Sequence, residues 1–90
     1  MKICGVEISH DVLLGVERKM RQASRFTKIA MISYLNDEMN YPYLHIHRYR
    51  YSSSFAEEIV ARMIVRLRKT GQVVKTGVKI GCAPVYEWIG

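Results

Sequence analysis

The chain has 90 residues, 49% of them hydrophobic and 24% charged, and its 14 Lys or Arg against 8 Asp or Glu give a formal net charge of +6. That length is one domain's worth, and a domain so small buries only roughly 60–65% of the surface its unfolded chain exposes. With six Gly and two Pro, the composition excludes a disordered tail, a collagen and a low-complexity linker. No apolar run approaches the ~20 residues that cross a bilayer. Glu7 and Asp11 interrupt any signal-like stretch after Lys2, so the expectation is a cytoplasmic protein, residues 1–90 forming a single domain, with no membrane partner.

In chain order, residues 9–23 read as a helix. Ser9 stands at the N-cap position and Asp11 in the first turn, where a negative charge suits the helix dipole. Val12, Val16 and Met20, flanked by Leu13, draw one apolar stripe. Residues 25–39 read as a second helix, capped by Ser24 or Thr27. Ile29, Ile32, Leu35 and Met39 repeat at threes and fours there, and Phe26 and Ala30 widen the face.

The segment YPYLHIHRYRY, residues 41–51, changes period. Strict alternation with this aromatic content predicts a strand over 43–50; a short helix beginning near Pro42 is the competing reading. Residues 54–69 then carry the strongest helical signal. Ser54 and Glu57 form a capping box, and Ala56, Ile59, Val60, Met63, Ile64 and Leu67 make a continuous apolar face. Gly71 follows Arg68 and Lys69 where a C-terminal cap belongs. The remainder reads as a hairpin, with strands over 73–76 and 85–89 joined by a broad loop from Gly77 to Pro84.

Few motifs point to chemistry. Cys4 and Cys82 are two lone thiols without a CxxC pair, and the expectation is buried, unreactive thiols, a single bridge staying open. Zinc would require Cys4 and Cys82 to converge with His45 and His47, and no zinc-ligand spacing is present. Neither a metal nor a cofactor is therefore expected. A P-loop, a G-x-G-x-x-G, an H-E-x-x-H, a paired-carboxylate motif and a G-x-S-x-G elbow are all missing from the sequence. His10, His45 and His47 have no Ser or Cys at a recognisable motif spacing, so no enzymatic activity is expected.

The basic residues are more informative. Arg18, Lys19, Arg21, Arg25 and Lys28 place five positive charges in eleven residues, and 62–79 holds six more with no acidic residue among them. Two such regions favour a polyanionic partner. Residues 1–47 carry six basic against five acidic side chains, and residues 48–90 carry eight against three. The surplus therefore belongs to the second half. Arg62, Arg66 and Lys69 recur at intervals of four and three, one helical stripe that suits phosphates or guanine edges. The alternative is a solvated face, in which Glu58 pairs with Arg62 one turn on. Lys75 and Lys79 suit a nucleic-acid backbone, or equally the protection of a sheet edge. Tyr43, Tyr49 and Tyr51, interleaved with Arg48 and Arg50, either stack unpaired bases or pack on the helices.

Helices followed by "LRKTGQVVKTG", a broad loop and "PVYEWI" resemble a winged helix-turn-helix DNA-binding domain. Leu67, Arg68, Lys69 and Gly71 at the helix exit and Val73, Val74, Tyr86 and Trp88 in the hairpin carry the resemblance. It covers 54–90 well and 9–53 in outline. It implies an α+β fold of about three helices with a C-terminal hairpin wing, to which the strand at 43–50 would be an addition. It further implies sequence-specific binding of double-stranded DNA by a small transcriptional regulator, often as a homodimer. Helix 54–69 would lie in or against the major groove through Arg62, Arg66 and Lys69. Lys75 and Lys79 would brace the wing on the backbone, and Arg48 and Arg50 complete the set.

The chain departs from the family in two places. Residues 40–53 stand where the family has a tight turn between its second and third helices. Glu57 and Glu58 lie near the start of the recognition helix, where phosphates would repel them. Two alternatives follow: a winged-helix module whose partner is a protein, facing Glu57, Glu58 and the aromatic strand, or single-stranded nucleic-acid binding through 43–51.

Overall fold

Three stretches whose apolar residues recur at helical spacing each bury one face, and two short antiparallel sheets join them. The computed structural model describes residues 2–3, 6–37 and 53–90. Its elements are β1 (Lys2–Ile3), β2 (Val6–Glu7), α1 (His10–Ala23), β3 (Arg25–Thr27), α2 (Lys28–Asp37), α3 (Ser53–Lys69), β4 (Val73–Ile80) and β5 (Ala83–Trp88). The class is α+β: among the described residues, three helices and a three-stranded antiparallel sheet ordered β3-β5-β4, with β1 and β2 as a separate two-stranded ribbon. The alternating segment, with Arg48, Arg50 and the strand expected over 43–50, lies outside the described residues. None of the described helices is long and apolar enough to cross a membrane.

α1 follows its sequence pattern. Val12, Leu13, Val16 and Met20 are all buried. The Ser9 carbonyl accepts from the amides of Val12 at 3.1 Å and Leu13 at 3.3 Å, while the Ser9 side chain makes no capping bond.

The expected helix over 25–39 is corrected. Ser24 ends α1 at φ 68° and turns the chain, so that Arg25, Phe26 and Thr27 pair with Glu87, Tyr86 and Val85. Phe26 thus belongs to a sheet, stacked on Tyr86 with ring centroids 5.9 Å apart. Thr27 is then the helix cap, its Oγ1 accepting the Ala30 amide at 3.2 Å. Of the face expected for this helix, Leu35 is buried and Ile32 half-buried against the core, whereas Ile29 is 65% exposed and the buried Met31 takes its place.

α3 is the core's main wall. Ala56, Ile59, Val60, Met63, Ile64 and Leu67, the six residues of the expected apolar face, are all buried. The Ser54 side chain of the expected capping box lies outside the described residues. At the other end, Gly71 takes φ +80°, its amide donates to the Arg68 carbonyl at 3.2 Å, and the Gln72 amide donates to the Leu67 carbonyl at 2.9 Å. This double bond pattern is the Schellman closure, which ends the helix and turns the chain into the sheet.

The broad hairpin loop is likewise corrected. β4 runs to Ile80 and β5 begins at Ala83, so Gly81 and Cys82 alone make the turn. Gly77 is not a loop border; it sits within β4 at φ +85°, where the register shifts between Lys75 and Lys79. Thr76 holds that bulge by donating to the Val85 carbonyl at 2.9 Å and accepting the Val78 amide at 3.1 Å. Cys82 is consequently exposed and not buried as expected, because a two-residue turn offers no interior. Cys4 lies outside the described residues.

Candidate nucleic-acid interface

Packing of the apolar stripe of α3 into the core leaves its opposite face outward. That face carries Arg62, Arg66 and Lys69, which together with Ala61 and Val65 line one shallow groove of about 330 Å³. The spacing of four and three thus brings the three expected cations onto one surface, as helical geometry requires.

The three are not equivalent. Arg62 donates from Nε to Glu58 at 2.8 Å and from Nη1 to the Lys2 carbonyl of β1 at 3.0 Å. Its guanidinium is held at the groove's rim by one bond along the helix and one to the N-terminal ribbon. Arg66 and Lys69 have no ion-pair or hydrogen-bond partner among the described residues, and neither does Arg68 between them.

The hairpin adds two more unpaired cations. Lys75 is the register partner of Tyr86 and Lys79 of Pro84, on the strand at the sheet's edge. Lys79 lies beyond the bulge, in the two-stranded tip. Both are exposed and without an acidic partner among the described residues. Among the described residues, therefore, the five basic side chains from Arg66 to Lys79 have no acidic partner.

The other basic region differs. Arg21 approaches Glu17 at 3.8 Å and lies over the Trp88 ring at 5.2 Å. Lys19 lies over the Tyr34 ring at 5.6 Å, and Arg25 meets Glu87 at 3.2 Å. Aromatic faces and carboxylates occupy three of its five charges.

Val65 and Arg68 escaped the sequence-level set of site residues. Val65 is 55% exposed at the centre of the cationic groove. Its signal was present in the sequence: it falls off the buried stripe and three residues after Arg62. Arg68 drew notice only for its charge at the helix end. Among the described residues no group of three or more His, Cys, Asp or Glu side chains is placed to hold a metal ion. Comparison of the chain with models of known protein families, with curated proteins and with solved structures finds no match.

Proposed function

We propose that this chain is a winged-helix-type protein that binds duplex DNA sequence-specifically, as a small transcriptional regulator. The observation that carries the reading is the unpaired run Arg66, Arg68, Lys69, Lys75 and Lys79, spread over the end of α3 and the hairpin that follows it. The order of the elements supports it: three helices are followed by a terminal hairpin, which is what the family resemblance implies. Glu58 also becomes less of an obstacle, since Arg62 neutralises it.

In this reading α3 lies against the major groove, with Arg66 and Lys69 on phosphates or guanine edges. Lys75 and Lys79 brace the hairpin on the adjoining backbone. Arg62 positions the helix against the N-terminal ribbon and touches DNA least. A homodimer would present two such helices to half-sites about 34–36 Å apart.

Fluorescence-anisotropy titration of labelled duplex and single-stranded oligonucleotides at several salt concentrations tests the reading. Four cations on phosphates predict a log–log salt slope near about −3.6 for duplex. Absence of duplex binding at low salt would sink the proposal, and tighter binding of single strands would transfer the function to them.

A further inference from the structure

The groove on α3 pairs two chemistries that solvent exposure alone does not require. Among the described residues it is lined by Arg62, Arg66 and Lys69 together with Ala61 and Val65, and the surface they present to it is mostly hydrocarbon. Val65 lies three residues after Arg62, four before Lys69 and next to Arg66, so it shares this lining with all three cations. A ligand complementary to this groove is a polyanion that also presents a small apolar group between its charges. The major groove of DNA has that character: phosphates line its edges, and the C5-methyl of thymine is its one apolar projection among the base edges.

Resting on the duplex-DNA reading, we propose that Val65 is a specificity-determining residue that receives a thymine methyl group, with Arg66 and Lys69 anchoring the flanking backbone or an adjacent guanine. Arg62 contributes by its fixity. Held by Glu58 and by the Lys2 carbonyl, it keeps one wall of the groove in place without reorganising on binding. Val65 discriminates by contact: burying one methyl is worth about fourfold in affinity, a modest preference at one base pair.

The test uses the full chain and the tightest duplex selected from a pool with a randomised centre. Each thymine in turn is replaced by deoxyuridine, which removes the methyl group and leaves the hydrogen-bonding edges unchanged. The unmodified protein should lose about fourfold at one position. Val65→Ser, on an exposed helical site that tolerates a small polar residue, should bind the thymine and deoxyuridine forms of that position equally, because a hydroxyl gives the methyl no apolar contact. If every deoxyuridine duplex binds as well as its parent, the Val65 assignment is wrong while the duplex reading stands. If Val65→Ser still senses the methyl, another residue reads it and the assignment is again wrong. If no duplex is bound and an acidic amphipathic peptide is retained by the groove, both readings fall and the partner is a protein.

Discussion

In residues 18–28, three of the five basic side chains, Lys19, Arg21 and Arg25, are taken up by Glu17, Glu87 and the rings of Tyr34 and Trp88. In residues 62–79, the six basic side chains have, among the described residues, only Glu58 for an ionic partner. The first region has the higher density of charge along the sequence, yet the fold occupies most of it. The second is sparser, and among the described residues five of its six charges, over two successive elements, have no ionic partner. Density of like charge is thus a poor marker of a binding surface, since it most often makes a solvated face. What distinguishes a polyanion site is charge left without intramolecular neutralisation on elements that share a surface.

The largest test of that distinction removes two charges from each region. Arg66→Ala with Lys69→Ala should weaken duplex binding by about 2–4 kcal/mol and flatten the salt slope by about 1.8. Arg21→Ala with Arg25→Ala should change affinity by less than about 0.5 kcal/mol, because those side chains already have partners. Equal losses from the two double variants, both still folded by circular dichroism, would erase the difference between the regions.

A second, smaller test concerns the two helix ends that launch these regions. Gly71 ends α3 at φ +80° with nothing within 4 Å of where a Cβ would stand, so alanine meets no clash there. Its penalty is conformational, about 1–2 kcal/mol, which thermal unfolding should register as a loss of several degrees. Ser24 ends α1 at φ 68° and ψ −57°, a backbone that a side chain disfavours, and its carbonyl accepts the Trp88 amide at 2.7 Å. Ser24→Gly should therefore stabilise, by about 0.5 kcal/mol once glycine's greater unfolded-state freedom is subtracted. Opposite signs at the two ends are the expectation. If Gly71→Ala proves neutral in thermal unfolding, the helix closure that aims the hairpin does not depend on the left-handed backbone that glycine supplies.

The legible parts of the fold are those whose information is local. The faces of α1 and α3 could be read residue by residue, because an apolar stripe of period 3.6 needs no knowledge of what it packs against. The glycine closure of α3 was legible for the same reason. β3 was not. Three residues are too few to show alternation, and the strand exists only because β5, sixty residues on, supplies its hydrogen bonds. Counting Phe26 into a helix then misplaced the face of α2. Gly77 and Gly81 read alike in the sequence, yet one sits at a bulge inside a strand and the other in the turn. In the candidate site, spacing was enough to group Arg62, Arg66 and Lys69. The tie from Arg62 to the Lys2 carbonyl was beyond reach, because the acceptor is a backbone oxygen that no residue type announces.

The smallest effect is the most discriminating for the comparison. Glu87→Gln removes the carboxylate that holds Arg25 at 3.2 Å while keeping the size and the strand position of residue 87. An exposed pair of this kind contributes about 0.5 kcal/mol or less, so the thermal midpoint should hardly move. The variant also raises net charge by one, which alone steers any polyanion slightly faster. If the 18–28 region stands clear of DNA, the equilibrium salt slope should stay unchanged, because a freed Arg25 would displace no phosphate counterion. A slope steeper by about 0.9 would mean that Arg25 reaches a phosphate once released. Glu87 would then be a brake on a wider interface, and the two basic regions would form one continuous surface.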